Sequence, residues 1–186
     1  FQSPAQYAER GEAVFAEWKD RTPEERAALL IESLERLSEN FFELAHATMH
    51  TTGQGFMMSF QASGPHGSDR ALEAVALGFR EQTRFPAHAS WEKPLGKTSQ
   101  VIEKYYKVMP KGLSLTVTCS TFPVWNAMPG MYASLVTGNP VIVKPHPMAV
   151  YPMALIVSVI QDTLKAHGLP PEIIQVAPDS QERLIT

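Results

Sequence analysis

Lys111 to Pro147 reads K-G-L-S-L-T-V-T-C-S-T-F-P-V-W-N-A-M-P-G-M-Y-A-S-L-V-T-G-N-P-V-I-V-K-P-H-P. Two short β-branched runs, Leu113–Cys119 and Val141–Lys144, flank a segment of helix length, and each run ends in polar residues. Parallel neighbours need a long crossover, usually a helix. The stretch therefore predicts a βαβ unit, with a helix from about Val124 to Val136 and a stop at Gly138-Asn139. Its polar ends fall beyond the carboxyl ends of the strands, where open α/β sheets bind their ligands.

Downstream the pattern repeats. Pro152 marks the first turn of a second helix, which carries Met153, Leu155, Ile156, Val159, Ile160 and Leu164 and closes at Gly168. Leu169-Pro170-Pro171-Glu172 leads into a third strand, Ile173–Ala177, and Leu184-Ile185-Thr186 reads as the start of another. Strand, helix, strand, helix, strand is a parallel sheet with right-handed crossovers. Upstream, Val101–Val108 reads as extended chain turned by Pro110-Lys111-Gly112. A satellite hairpin and an oligomer contact both fit it.

Before Thr98 the chain reads as helix. Ser3-Pro4-Ala5-Gln6 and Thr22-Pro23-Glu24-Glu25 are capping-box starts. Tyr7, Gly11, Val14, Phe15 and Trp18 line the first helix. Leu30, Leu34, Leu37, Phe41, Leu44 and Thr48 predict one long second helix ending at Gly53. Gln54–Gly67 follows no period and breaks at Gly64-Pro65. Ser68-Asp69 caps a third helix to about Arg84, with Leu72, Val75, Ala76 and Phe79 inward. The expected fold is α/β: a Rossmann-like parallel sheet, truncated, over residues 98–186, with an N-terminal helical region over 1–97 that packs on it because its helices alone make a thin core.

Composition bounds the function. With 186 residues, 44% apolar, 19% charged, and a net charge of −3, the chain carries no electrostatic footprint for nucleic acid. A neutral or anionic small molecule is the easier partner. Cys119 is the single cysteine, which excludes an intrachain disulfide framework and fits a reducing compartment, so a cytoplasmic location is expected. No apolar run reaches about 18 residues, the length that marks a spanning helix, so no membrane partner is expected. Phe1-Gln2-Ser3-Pro4 lacks a signal-peptide pattern and an initiator Met, which reads as trimming or a fragment.

The candidate ligand edge comprises Thr118-Cys119-Ser120-Thr121, Lys144-Pro145-His146-Pro147 and Pro178-Asp179. Neither G-x-G-x-x-G nor a Walker lysine loop is present, so a nucleotide would be held differently. Lys144 ends the second strand, where dinucleotide sites place an acid for the ribose 2′-hydroxyl or a cation for a 2′-phosphate. With His146 nearby and no carboxylate from Lys144 to Tyr151, the chemistry leans toward NADP over NAD. A solvated strand-end lysine beside a proline-rich turn is the other reading of the same residues.

The run S-T-F-P through T-G-N-P-V-I-V-K-P-H-P, followed by A-H-G-L-P-P-E-I-I-Q-V-A-P-D, resembles the cofactor-binding core of the aldehyde dehydrogenase superfamily, and R-T-P-E-E-R-A-A-L-L resembles its N-terminal helices. Within it, G-Q-G-F-M-M-S-F-Q-A-S-G-P-H-G-S-D-R, W-E-K-P-L-G-K and C-S-T-F-P-V-W-N-A-M-P-G are similar to the branch that acts in phenylacetic acid degradation. The resemblance covers essentially the whole chain. It implies thiohemiacetal formation on a catalytic cysteine, hydride transfer to NAD(P) and deacylation by water. It also implies a homo-oligomeric enzyme and a ring-opened, CoA-linked semialdehyde as substrate.

Carried over residue by residue, the family's K-P lysine matches Lys144, and the glutamate that favours NAD matches Pro147, whose neutrality removes a repulsion against a 2′-phosphate. Asn126 lies too close to Gly138-Asn139 to be the family's oxyanion asparagine. Aligning Phe122-Pro123 puts Thr121 at that position, where a hydroxyl donates with a shorter reach than an amide. Thr118, Cys119, Ser120, Thr121, Lys144, His146 and Pro147 are thus the expected cofactor contacts. Cys119 is a small residue beside the cofactor, since the family's catalytic cysteine and general-base glutamate fall beyond residue 186. Two other readings fit the same residues: a non-catalytic nucleotide-binding or assembly module, and a CoA-acylating enzyme.

The remaining suspects carry less. His46 and His50 stand one helical turn apart but lack a third ligand, so no metal is expected. Met49, Phe56, Met57, Met58 and Phe60 read as packing residues, with a substrate approach as the alternative. Glu24–Arg26 and Glu32–Arg36 read as solvated helix faces.

Overall fold

A computed structural model describes residues 2–178; Asp179 and the expected strand at Leu184-Ile185-Thr186 lie outside them. In chain order the elements are α1 (Pro4–Lys19), α2 (Pro23–Ser38), α3 (Phe41–Thr52), α4 (Phe56–Ser63), α5 (Pro65–Gln82), β1 (His88–Leu95), β2 (Thr98–Tyr105), β3 (Ser114–Val117), α6 (Pro123–Val136), β4 (Val141–Lys144), α7 (Val150–Ala166) and β5 (Ile174–Val176). Short 3-10 turns, Pro147–Ala149 and Pro171–Ile173, precede α7 and β5.

The two capping boxes form as the sequence demands. The Thr22 amide donates to Glu25 Oε2 at 2.8 Å and the Glu25 amide to Thr22 Oγ1 at 3.1 Å. Ser3 and Gln6 make the same exchange. The long second helix does not form: it breaks between Ser38 and Phe41 into α2 and α3. Asn40 explains the break, because its Nδ2 donates back to the Arg36 carbonyl at 3.1 Å and its own amide to Leu37 at 2.9 Å. A side chain competing for backbone partners favours a helix end over a helix interior. The apolar stripe survives the break, with Leu30, Leu34, Leu37, Leu44 and Thr48 all buried.

Gly53, at φ +77°, ends α3 at the expected stop, and Phe56–Ser63, in the stretch that follows no period, forms the separate helix α4. One further boundary differs from expectation. The next helix starts at Pro65, ahead of Ser68, and ends at Gln82. Its buried face is Ala71 and Val75; Leu72 and Ala76 are exposed. Gly78 lets α5 close on α6, since a Cβ there would lie 2.5 Å from Val136 Cγ1.

β1 and β2 pair antiparallel from His88↔Tyr105 to Leu95↔Thr98, making a satellite hairpin. β1 escaped the sequence reading because nearly every residue in it is exposed, which leaves no inside–outside alternation. The division at 97/98 falls at the turn of this hairpin.

The three-stranded sheet is parallel in the order β3-β4-β5, with Ser114 opposite Val141 and Val117 opposite Lys144. α6 packs against β3 and β4, α7 against β5, and α1 against β4 and β5. Helical region and sheet share one core, in which Trp18, Leu30 and Leu44 join Met128, Tyr132, Leu135, Met153, Ile156 and Ile160. Pro147–Ala166 is, against expectation, long and apolar enough by composition to cross a membrane. Its Met153, Ile156, Val157, Ile160 and Leu164 are buried in this core, which accounts for the composition.

Arg26 corrects the reading of a solvated face. It is only 4% exposed. Nε donates to the Val136 carbonyl at 2.9 Å, one Nη to Gln82 Oε1 at 2.7 Å, and the other to the carbonyls of Lys19 and Arg21. A single cation thus meets the carbonyl ends of α1 and α6, where the helix dipole favours positive charge. Burial lowers its pKa from the ordinary value, against the raising effect of Glu24 and Glu25.

Candidate cofactor site

Pairing Val117 with Lys144 brings the carboxyl ends of β3 and β4 side by side, so Thr118–Thr121 and Lys144–Pro147 share one edge. Three hydrogen bonds lock it. The Thr118 amide donates to the Lys144 carbonyl at 3.0 Å, the His146 amide to Thr118 Oγ1 at 3.2 Å, and the Met148 amide to His146 Nδ1 at 3.2 Å. Thr118 is buried at 5% exposure, a rigid bracket on both sides of Pro145. On the far side of β4, the Ala177 amide donates to the Val143 carbonyl at 2.8 Å.

Lys144 and His146 are half-buried, and Lys144 makes no ion pair among the described residues. From Lys144 to Gln161 the sequence holds no carboxylate. One acid approaches from another element: Glu43 of α3 accepts from Tyr151 Oη at 3.3 Å. Pro147 opens the 3-10 turn as its first residue and contributes neither charge nor N–H. An ammonium and an imidazole on one edge suit an anionic oxygen ligand.

The other candidates separate clearly. Cys119 and Ser120 are half-buried beside Thr118, and Thr121 is exposed at the start of the turn into α6. Asn126 lies in the first turn of α6 and is exposed. Asn139 sits at the opposite end of the sheet, where Oδ1 accepts from the amides of Lys111 and Gly112 at 2.8 and 3.0 Å and fixes the entry into β3. The His46 ring lies tilted against Phe56 with centroids 5.2 Å apart, and the described residues contain no cluster able to hold a metal ion.

Next to Thr121 lies a feature that the sequence reading only half anticipated. Met58, Gln61, Ala62, His66, Phe122 and Trp125 line an open pocket of about 220 Å³. Met58 belongs to the residues whose alternative role is a substrate approach; Phe122 and Trp125 do not. Phe122, the N-cap of α6, and Trp125 in its first turn stand three residues apart with rings in edge contact at 6.4 Å, and that spacing is the signal the sequence offers. Met49, Phe56 and Phe60 are instead half-buried, with the rings of Phe56 and Phe60 against Phe41, Phe42 and His46 of α3.

A parallel sheet with helical crossovers and a polar edge at neighbouring strand ends defines a Rossmann-like cofactor-binding unit. The chain matches the aldehyde dehydrogenase family over residues 5–185 and belongs to it.

The NAD-dependent aldehyde dehydrogenase of Burkholderia multivorans is 42% identical, superposes with a TM-score of 0.95, and is matched over 99% of this chain and 33% of its own. The chain therefore spans about a third of that protein's length. Two structures share the fold at lower identity. The NADP-dependent glyceraldehyde-3-phosphate dehydrogenase of Bacillus halodurans C-125, complexed with NADP, is 19% identical with a TM-score of 0.75, over 96% of this chain and 36% of its own. PnpE, in complex with nicotinamide adenine dinucleotide, is 19% identical with a TM-score of 0.75, over 95% and 33%. No match was found among curated protein sequences.

Proposed function

We propose that the whole protein is an NAD(P)-dependent aldehyde dehydrogenase in which this chain supplies the adenosine end of the cofactor site. The observation that carries the reading is the edge formed by Thr118 and Lys144–Pro147, locked by the backbone and hydroxyl bonds of Thr118 and free of sequence carboxylates from Lys144 to Gln161. Lys144 would hold the adenosine ribose or its 2′-phosphate, His146 would stand beside it, and neutral Pro147 leaves a 2′-phosphate unopposed, which favours NADP over NAD. Cys119 and Ser120 would border the same edge. When bound, the nicotinamide supplies the hydride acceptor.

Thr121 would donate to the developing oxyanion of the aldehyde, and the Met58–Phe122–Trp125 pocket beside it would shelter an apolar substrate from water. The sequence similarity to the phenylacetic acid degradation branch supports a ring-opened semialdehyde linked to CoA as that substrate, a homo-oligomeric assembly and a cytoplasmic location. A non-catalytic nucleotide-binding module and a CoA-acylating enzyme are the competing outcomes.

Steady-state oxidation by the protein expressed from its complete gene tests the reading. Reduced cofactor should form with an aldehyde and NADP, with higher kcat/KM for a CoA-linked semialdehyde than for acetaldehyde. Cofactor binding without turnover would make the chain part of a binding module; turnover only with free CoA would make the enzyme acylating.

A further inference from the structure

The His146 imidazole has one nitrogen committed. Its Nδ1 accepts the Met148 amide proton at 3.2 Å. A backbone N–H can only donate to an unprotonated ring nitrogen, so the neutral ring carries its proton on Nε2. The main chain of the same residue is held by Thr118, whose buried hydroxyl oxygen accepts the His146 amide. Pro145 and Pro147 on either side restrict the backbone further, and His146 sits at φ −60°, ψ 141°. An imidazole fixed at both its backbone and Nδ1 leaves Nε2–H as its one uncommitted donor.

We propose that His146 is a specificity-determining residue for the cofactor, presenting Nε2–H to an oxygen of the 2′-phosphate, with Thr118 as its positioning residue. The inference rests on the cofactor reading above and deepens it. A lysine ammonium is a point charge on a flexible stem and tolerates either ribose form, whereas a fixed single donor discriminates by geometry. Thr118 acts through His146: without its oxygen the His146 amide loses its partner and the ring its anchorage.

The test is cofactor titration of the full-length protein and its His146→Asn, His146→Ala, Thr118→Val and Thr118→Ser variants, with NADP and NAD in parallel and with thermal midpoints. Asn keeps a carbonyl oxygen to cap Met148 but cannot place a donor at the Nε2 position. His146→Asn should keep the wild-type midpoint and weaken NADP about tenfold, the worth of one charge-assisted bond, while NAD changes less than threefold. Thr118→Val should shift the NADP-to-NAD ratio in the same direction and Thr118→Ser should restore it. In the wild type, ¹⁵N spectra should show Nδ1 unprotonated and Nε2 protonated.

Wild-type NADP affinity retained in His146→Asn, with only the midpoint of His146→Ala reduced, would make His146 a cap and overturn the inference while leaving the cofactor reading intact. A wild type that binds neither nucleotide would overturn both. A neutral ring protonated on Nδ1 would overturn the donor assignment.

Discussion

Arg26 Nε donates to the carbonyl of Val136 at 2.9 Å, across 110 residues of sequence, and so ties the second helix of the chain to the end of the helix behind the cofactor strand. The same guanidinium reaches Gln82 Oε1, and Gln82 Nε2 also donates to the Val136 carbonyl at 3.0 Å. With the Lys19 carbonyl at the end of α1, four helices, α1, α2, α5 and α6, thus meet on one buried cation.

Replacing Arg26 by Met should therefore cost about 3 kcal/mol or more of unfolding free energy, since it takes the guanidinium donor from buried Gln82 Oε1 and from the part-buried carbonyls of Lys19 and Arg21 and leaves Val136 with Gln82 Nε2 alone. Arg26→Lys should recover only part, because one ammonium cannot reach every acceptor of a planar fork. Urea denaturation of the two variants measures both effects. Equal stability of Met and wild type would mean that water serves these carbonyls equally well.

Gly138 and Asn139 form the matching device at the entry to β3 and β4. Gly138 has φ +86°, and a Cβ there would stand 2.7 Å from Pro110 Cγ. Gly138→Ala should lose more than about 1 kcal/mol through strain and this contact. Asn139→Ala, which frees the amides of Lys111 and Gly112, should cost about 1–2 kcal/mol. Both should leave cofactor affinity per folded molecule unchanged, because they lie at the end of the sheet away from Lys144.

The legibility of the chain follows from where its signals lie. β4 was read at its observed boundaries because Gly138-Asn139 and Lys144-Pro145 punctuate it on both sides. α7 was legible because Pro152 and Gly168 bracket a continuous apolar face. The break at Asn40 was hidden, since a stripe of period three to four runs through it unaltered and only the Nδ2 bond to Arg36 reveals the stop. Arg26 was hidden for a related reason: a charged residue between glutamates looks solvated until the fold places three helix ends around it. At the site, residue chemistry was legible at Lys144 and His146, but the clasp from Thr118 depends on strand register, which no local pattern encodes.

Tyr132 gives a pH-dependent test. Ser33 Oγ donates to the Leu30 carbonyl at 2.7 Å, so the 2.9 Å contact between Ser33 and Tyr132 has the phenol as donor. Full burial raises the phenol pKa above its ordinary 10.0, only partly offset by the bond to Ser33. Above about pH 10 the unfolded chain therefore releases a proton that the folded chain retains, and stability falls as pH rises. Tyr132→Phe should flatten that alkaline limb in denaturant titrations and cost about 1 kcal/mol at neutral pH. A limb of the same slope in both proteins would assign it elsewhere.

On the acid side, Glu32 accepts from His167 Nε2 at 2.7 Å and from Arg36 Nη at 2.6 Å, and these bonds, that from His167 first, hold its carboxyl below the ordinary 4.5. The stability that they contribute is present above that value and is lost as pH falls through the lowered one. Glu32→Gln should shrink the acid-side loss of thermal midpoint below about pH 5, a small effect because the pair is partly exposed.

The central claim is that Lys144 holds the cofactor, and NADP titration of the full-length protein against its Lys144→Ala variant tests it most directly. The expected result is an NADP Kd raised about tenfold or more, with a thermal midpoint close to wild type because the side chain is half-buried and makes no ion pair among the described residues. An unchanged Kd accompanied by a large loss of stability would contradict the account and make Lys144 a structural residue at the end of a strand.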